Sequence, residues 1–152
     1  MSQAEDYLKL INEEGAFEDV DYNAHNNAAN GAAWSPYLAL DRLQAIAIAY
    51  HKEGNALYHS EAAKNGLDKA IKYWSTQGKR DNKPDGPYSK NWWENEVGVQ
   101  LRFSRIALFM DGIISQEAQD IMLTKLLERE PVKYGTGQNE LWRDQTGYIM
   151  HC

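Results

Sequence analysis

The chain has 152 residues, enough for one domain with a core of its own. Its apolar fraction of 43% and charged fraction of 25% are ordinary for a globular protein, and it has no apolar run long enough to span a membrane. The net charge of −6 argues against general nucleic-acid binding and gives no overall attraction for an acidic polymer. Cys152 is the single cysteine, so no internal disulfide forms, and residues 1–14 lack the hydrophobic block of a signal peptide.

The first third of the chain predicts two helices separated by an irregular segment. Residues 3–14 form an apolar-sided helix that Gly15 ends, and residues 16–34 are rich in Asn, Ala and Asp, which favours irregular backbone. His25 lies in that segment without a second ligand at metal-binding spacing, so it is interpreted as a solvated loop residue. Ser35-Pro36 then starts a helix that Gly54 stops, with Ser35 as the predicted N-cap.

The middle of the chain predicts another helix and then a basic loop. Ser60 caps the helix, whose apolar stripe ends at Trp74 before Gly78. Residues 79–90 contain Gly and Pro, and their four basic and two acidic side chains give a local balance of +2. Such a run is usually a solvated loop, but this one leads directly into paired tryptophans, so anion binding is kept as an alternative.

The paired tryptophans open a central helix predicted from about Asn91 to Asp111. A rotation of about 100° per residue places apolar side chains on two opposite sides, which predicts a helix wedged between neighbours. Trp92 shares one side with Val99, Phe103, Ile106 and Met110, and Trp93 shares the other with Val97, Leu101 and Leu108. The large rings at its start are either plain core residues or the lining of a cleft.

The last quarter predicts two further helices. Ser115 caps the first, residues 130–138 form a turn-rich connection, and Asn139 opens the second. That second helix meets the chain terminus without a stop signal, so we expect a single all-α domain over 1–152 that is a piece of something longer. Its apolar residues, including Trp142 and Ile149, suggest self-association. The predicted architecture is a set of antiparallel helical hairpins, with no convincing strand pattern.

Three features together suggest a sugar-binding site. Indole faces of Trp92 and Trp93 suit the apolar C–H faces of sugar rings, and the basic loop attracts an anionic chain. Asn139 stands where a turn meets a helix, and its amide can donate hydrogen bonds to a carboxylate, although a helix N-cap explains it equally. No phosphate loop, zinc-ligand spacing or nucleophile elbow is present, so no metal or cofactor is predicted.

Several stretches resemble the N-terminal part of the α-helical catalytic domain of polysaccharide lyase family 8, the chondroitin AC, hyaluronate and xanthan lyases. The similarity covers nearly the whole chain in order. The most specific stretches are Asn91-Trp92-Trp93-Glu94-Asn95-Glu96-Val97-Gly98 and Gly135-Thr136-Gly137-Gln138-Asn139, supported by residues 15–22, Leu40 to Tyr50, and 70–74.

The resemblance implies part of an incomplete (α/α) toroid from an extracellular or periplasmic enzyme that cleaves uronic-acid-containing polysaccharide by β-elimination. It assigns Trp92 and Trp93 to the aromatic patch that positions the sugar chain, together with Asn91, and Asn139 to the uronate carboxylate. The family's catalytic histidine, tyrosine and arginine have no counterpart here, so the chain alone is expected to be inactive. Gln138 departs from the small residue usual at that turn. A non-catalytic carbohydrate-binding helical module and a helical interaction module remain alternatives.

Overall fold

A computed structural model describes residues 3–25, 34–77, 79–80, 83–84, 86–90 and 97–127. The helices in this part of the chain are α1 (Gln3–Lys9), α2 (Ser35–Tyr50), α3 (Glu61–Thr76), α4 (Val99–Met110) and α5 (Gln116–Leu127). The strands β1 (Lys79–Arg80) and β2 (Lys83–Pro84) form a two-residue antiparallel ladder, with Lys79 opposite Pro84 and Arg80 opposite Lys83. The predicted all-α class is confirmed, and the small ladder lies inside the segment predicted as a loop.

Helix α2 is the element around which the described helices assemble. It contacts α1, α3 and α4, while α5 packs on α3 and α4. Ten of its sixteen residues are buried, among them Leu40, Leu43 and Ile46, each almost fully enclosed. Burial on several sides removes more apolar surface from water than a single amphipathic face does, so α2 carries much of the hydrophobic stabilisation.

Helix α4 confirms one predicted apolar face and bears out the other only in part. Val99, Phe103, Ile106 and Met110 are all buried against the neighbouring helices. On the opposite side Val97 and Leu101 are half-buried, but Leu108 is 78% exposed, so the prediction that this face is covered is wrong at Leu108. Among the described elements α4 packs mainly on α2 and α5, and neither of them covers Leu108.

The hydrogen bonds at the helix starts confirm two of the three predicted N-caps. Ser60 Oγ accepts from the Ala63 amide at 3.2 Å, and Ser115 Oγ accepts from the Ala118 amide at 3.2 Å, which confirms both. The prediction for Ser35 is wrong, because Trp34 occupies the N-cap of α2 and no side chain caps that end. The Ser35 hydroxyl accepts instead from the Asp21 amide at 2.9 Å.

Helix α1 ends at Lys9, earlier than predicted. The Asn12 side-chain oxygen accepts from three backbone amides, of Glu14, Gly15 and Ala16, at 3.0–3.2 Å. Such a side chain competes with helix continuation by offering the backbone other partners. Gly15 has a φ of +101°, and a Cβ there would collide with the backbone oxygen of Lys69 in α3, so glycine is required at this turn.

The irregular segment after Gly15 is packed against the helices over its described residues. Phe17 and Tyr22 are buried, and the Phe17 amide donates to the Tyr22 hydroxyl at 2.9 Å. Burial raises the pKa of Tyr22 to about 12, so its hydroxyl stays neutral and available to accept. Asp19 accepts two hydrogen bonds, of 2.8 and 2.6 Å, from the Arg42 guanidinium, which ties this segment to α2.

Candidate functional site

The four predicted site residues, Asn91, Trp92, Trp93 and Asn139, lie outside the described residues. Whether the tryptophan pair and the later amide share one groove therefore stays a prediction. The same holds for self-association through Trp142 and Ile149. What the structure does describe is the chain on both sides of the tryptophan pair, residues 86–90 before it and residues 97–98 after it.

The approach to the tryptophan pair is an irregular segment, residues 86–90, that packs on the bundle. Gly86, Pro87 and Ser89 are buried, whereas Lys90 is exposed. Gly86 has a φ of +85°, and a Cβ there would stand 3.0 Å from Nε1 of the buried Trp74. Glycine thus allows the segment to lie directly on α3, with a lysine at the position next to Asn91.

His25 holds this approach segment through four contacts. Its Nδ1 donates to the Tyr88 carbonyl at 3.1 Å, and its ring stacks on the Tyr88 ring at a centroid distance of 4.3 Å. The His25 carbonyl accepts from the Lys90 amide at 2.7 Å and from Ser89 Oγ at 3.2 Å. The interpretation of His25 as a solvated loop residue is wrong. Its partners lie more than sixty residues away in sequence, so no local pattern signalled them.

The chain just before His25 is fixed in turn by Trp34. The indole Nε1 of Trp34 donates to the Ala24 carbonyl at 2.6 Å. The Trp34 ring is almost fully buried and meets the Tyr37 and Trp74 rings edge-on, at 5.2 and 6.4 Å. His25 is therefore attached to the aromatic core at the start of α2, which makes it a firm support for residues 88–90.

The far side of the tryptophan motif is held at Gly98. A Cβ at Gly98 would overlap the Tyr37 hydroxyl, so the motif's glycine lets the chain pass against the Tyr37 ring. Arg102 Nη1 donates to the Gly98 carbonyl at 3.0 Å, and Arg102 Nε donates to Asp41 Oδ1 at 2.8 Å. The Arg102 guanidinium lies 3.7 Å from the Tyr37 ring centroid. Arg102 thereby joins the glycine of the motif to α2.

A groove of about 440 Å³ lies elsewhere, between Glu14 and the outer side of α3. Its charges are balanced, because Asp68 and Glu14 stand beside Lys69 and Lys72, so it offers no net attraction to an anionic polymer. Burial alone would raise the pKa of Asp68, but hydrogen bonds from Lys72 and Ser115 lower it below its usual value. Asp68 thereby joins α3 to the start of α5, which is a structural role.

Two further observations concern only the described part of the chain. There, no three His, Cys, Asp or Glu side chains come together in a way that suits a metal ion. None of the helices described is both long and apolar enough to cross a membrane.

Comparison with solved structures shows to which class of protein this fold belongs. The chain is similar in structure to part of a chondroitinase AC lyase, solved in complexes with oligosaccharides, with a TM-score of 0.71 and 26% identity. That match covers 90% of this chain and 19% of the lyase. The fold is therefore that of a helical polysaccharide lyase domain.

The family follows from the sequence. Residues 1–147 match the model of polysaccharide lyase family 8, N-terminal α-helical domain, and the chain belongs to this family. It is also 25% identical over 134 residues to the hyaluronate lyase HylB of Enterococcus faecalis, a match that covers 83% of this chain and 13% of that enzyme. The chain thus spans less than a fifth of either relative. The resemblance found in the motifs is confirmed.

Proposed function

We propose that this chain supplies the aromatic substrate-binding part of a lyase that cleaves a uronic-acid-containing polysaccharide, of chondroitin or hyaluronan type, by β-elimination. Family membership over residues 1–147 and the substrates named for its two relatives support this substrate class. The structural observation that carries the proposal is that both flanks of Asn91-Trp92-Trp93 are fastened to the core. His25 holds one flank, and Arg102 with Tyr37 holds the other.

Each site residue has a role in this proposal. Trp92 and Trp93 stack on the apolar faces of successive sugar rings, and Asn91 accompanies them. Asn139 donates hydrogen bonds to the uronate carboxylate without adding a competing full charge. The exposed Lys90, which directly precedes Asn91 in the sequence, adds a local positive charge that helps an acidic chain to overcome the protein's net charge of −6.

The chemistry explains why an amide is useful at the carboxylate. The proton at C5 of a uronate becomes acidic only when negative charge can move onto the carboxyl oxygens as the proton leaves. A preorganised donor at those oxygens stabilises the transition state by about 3–4 kcal/mol. The reaction also needs a base for the C5 proton and an acid for the leaving oxygen, and we assign neither to a residue of this chain. The chain by itself is therefore expected to bind substrate without cleaving it.

The test measures binding and turnover on the same samples. Chondroitin and hyaluronan oligosaccharides are titrated into the chain by calorimetry, while ultraviolet absorbance reports unsaturated uronate product. We expect binding that falls about fivefold or more in Trp92→Ala or Trp93→Ala, because the loss of one ring stacked on an aromatic side chain, as measured for nucleobases, costs about 1 kcal/mol or more. Tyr58→Ala, which removes a partly exposed aromatic ring outside the motif, serves as the matched control.

Two results would contradict the proposal. If the folded protein binds neither polymer, the proposed substrate class is wrong. Clear formation of unsaturated product by the chain alone would show that it contains its own base and acid. Because such polymers do not pass through a membrane unaided, we also propose an extracellular or periplasmic location for the protein.

A further inference from the structure

His25 lies where two distant parts of the chain meet. Its backbone carbonyl accepts from Ser89 Oγ and from the Lys90 amide, and its ring contacts Tyr88 both by stacking and by a hydrogen bond. Three consecutive residues, 88–90, are therefore bound to one histidine. The last of them immediately precedes Asn91, the first residue of the predicted aromatic site.

The hydrogen bond to Tyr88 defines the state of the His25 ring. A backbone carbonyl only accepts, so Nδ1 must carry the proton and donate. In the neutral ring this leaves Nε2 without a proton. The ring thus combines two properties that a single substitution can separate, a donor at Nδ1 and a flat face against the Tyr88 ring.

The other end of the motif is fastened as well, by the hydrogen bond from Arg102 to the Gly98 carbonyl. Six residues, 91–96, connect Lys90 to Val97. The residues on both flanks of the motif, Lys90 and Gly98, are therefore each held by hydrogen bonds from other parts of the chain. A binding side chain that is already oriented loses less entropy when the ligand arrives, which improves affinity without any new contact.

We propose that His25 is a positioning residue for the aromatic site: it fixes the direction in which the chain leaves Lys90 toward Asn91-Trp92-Trp93, and it touches no substrate itself. This inference rests on the proposed function, because it assigns His25 a part in sugar binding. It accounts for a histidine whose ring and backbone both serve residues 88–90, and whose own support is the Trp34 bond to Ala24.

The experiment compares three substitutions at His25. His25→Ala removes both the donor and the ring, His25→Phe keeps a ring against Tyr88 without the donor, and His25→Asn keeps a donor near the position of Nδ1 without the ring. The matched control is His51→Ala, because His51 Nε2 also bonds a backbone carbonyl, that of Phe109, in another part of the bundle. Each variant is first checked for cooperative thermal unfolding.

Two quantities are measured on each variant. The first is the dissociation constant for a hyaluronan or chondroitin oligosaccharide. The second, which needs no ligand, is the amide hydrogen-exchange rate over residues 88–96. For His25→Ala we expect affinity to fall about threefold to tenfold, the loss typical of one hydrogen bond. Exchange over residues 88–96 should speed up. His25→Asn should keep most of the wild-type affinity and most of the slow exchange, and His51→Ala should change neither the affinity nor the exchange rate.

The outcomes separate this inference from the proposed function. If the wild type binds no oligosaccharide but His25→Ala speeds exchange over residues 88–96, the proposed function fails, while the positioning of this segment is supported. If His25→Ala weakens binding and leaves exchange unchanged, His25 acts on the substrate directly and the positioning role is overturned. Unchanged binding and unchanged exchange overturn it too. If His25→Ala does not fold, binding and exchange are compared between His25→Phe, which lacks the donor, and His25→Asn, which keeps it. The positioning role then requires weaker binding and faster exchange in His25→Phe than in His25→Asn.

Discussion

Replacing Gly98 by alanine tests the packing that joins the tryptophan motif to α2. Gly98 has helical backbone angles, φ −61° and ψ −47°, at the start of α4. Nothing in those angles requires glycine, so alanine taken alone should stabilise the helix by about 0.5–1 kcal/mol. The added Cβ, however, would overlap the Tyr37 hydroxyl and stand 2.6 Å from Cζ of that ring. The sign of the effect depends on whether Tyr37 can move aside.

The surroundings of Tyr37 indicate that it cannot. Its side chain is buried, its ring meets Trp34 edge-on at 5.2 Å, and the Arg102 guanidinium covers its face at 3.7 Å. Forcing extra atoms into packing of this kind costs about 1–3 kcal/mol. After subtraction of the helix-propensity gain, Gly98→Ala should lower the free energy of unfolding by about 0–2.5 kcal/mol. For a chain of this length that corresponds to a fall of up to about 10 °C in melting temperature.

The assay is urea and thermal unfolding followed by circular dichroism, with one control and one rescue. The control is Gly66→Ala in α3, where the close neighbour is the tip of the flexible Leu8 side chain, so a neutral or stabilising effect is expected. The rescue is Tyr37→Phe, which removes the atom that the new Cβ would overlap. We expect the cost of Gly98→Ala to be at least about 0.5 kcal/mol smaller in that background. A Gly98→Ala protein more stable than the wild type would refute the reasoning.

Two further predictions concern the core and the ion pair. In α4, Phe103→Ala should cost about 3–5 kcal/mol of stability because Phe103 is fully enclosed, whereas Leu108→Ala should stay within about 0.5 kcal/mol. Urea unfolding of both variants checks this, and equal costs would show that Leu108 is covered in solution. The hydrogen bond from Arg42 lowers the pKa of Asp19, so the pair stabilises the fold above the ordinary aspartate pKa, and this contribution is lost as the pH falls through the lowered value. Asp19→Asn should therefore cost about 1 kcal/mol at pH 7, which is modest because Asp19 is half exposed, and the cost should shrink as the pH falls below the ordinary aspartate pKa of about 3.9. A difference in stability that is independent of pH would argue against the pair.

Local sequence signals predicted the five described helices, two of the three serine caps and the family. The caps at Ser60 and Ser115 were predictable because a serine side chain reaches an amide three residues ahead, an interaction contained within one turn. The buried stripe of α4 followed from helical spacing alone. The Asn91-Trp92-Trp93 motif pointed to the family because its residue types and order are specific. The match of the family model to residues 1–147 confirms that identification.

The tertiary structure decided everything that depends on residues distant in sequence. Ser35 has the same local signal as Ser60, yet its hydroxyl serves Asp21. Leu108 has the helical spacing of a buried residue, but no described element covers it, and it is 78% exposed. His25 lacks any local pattern, and its role arises because the fold brings residues 88–90 against it. The physical reason is the same in each case: propensity and capping act within one or two turns, whereas which donor meets which acceptor across the bundle is set by the packing of the helices.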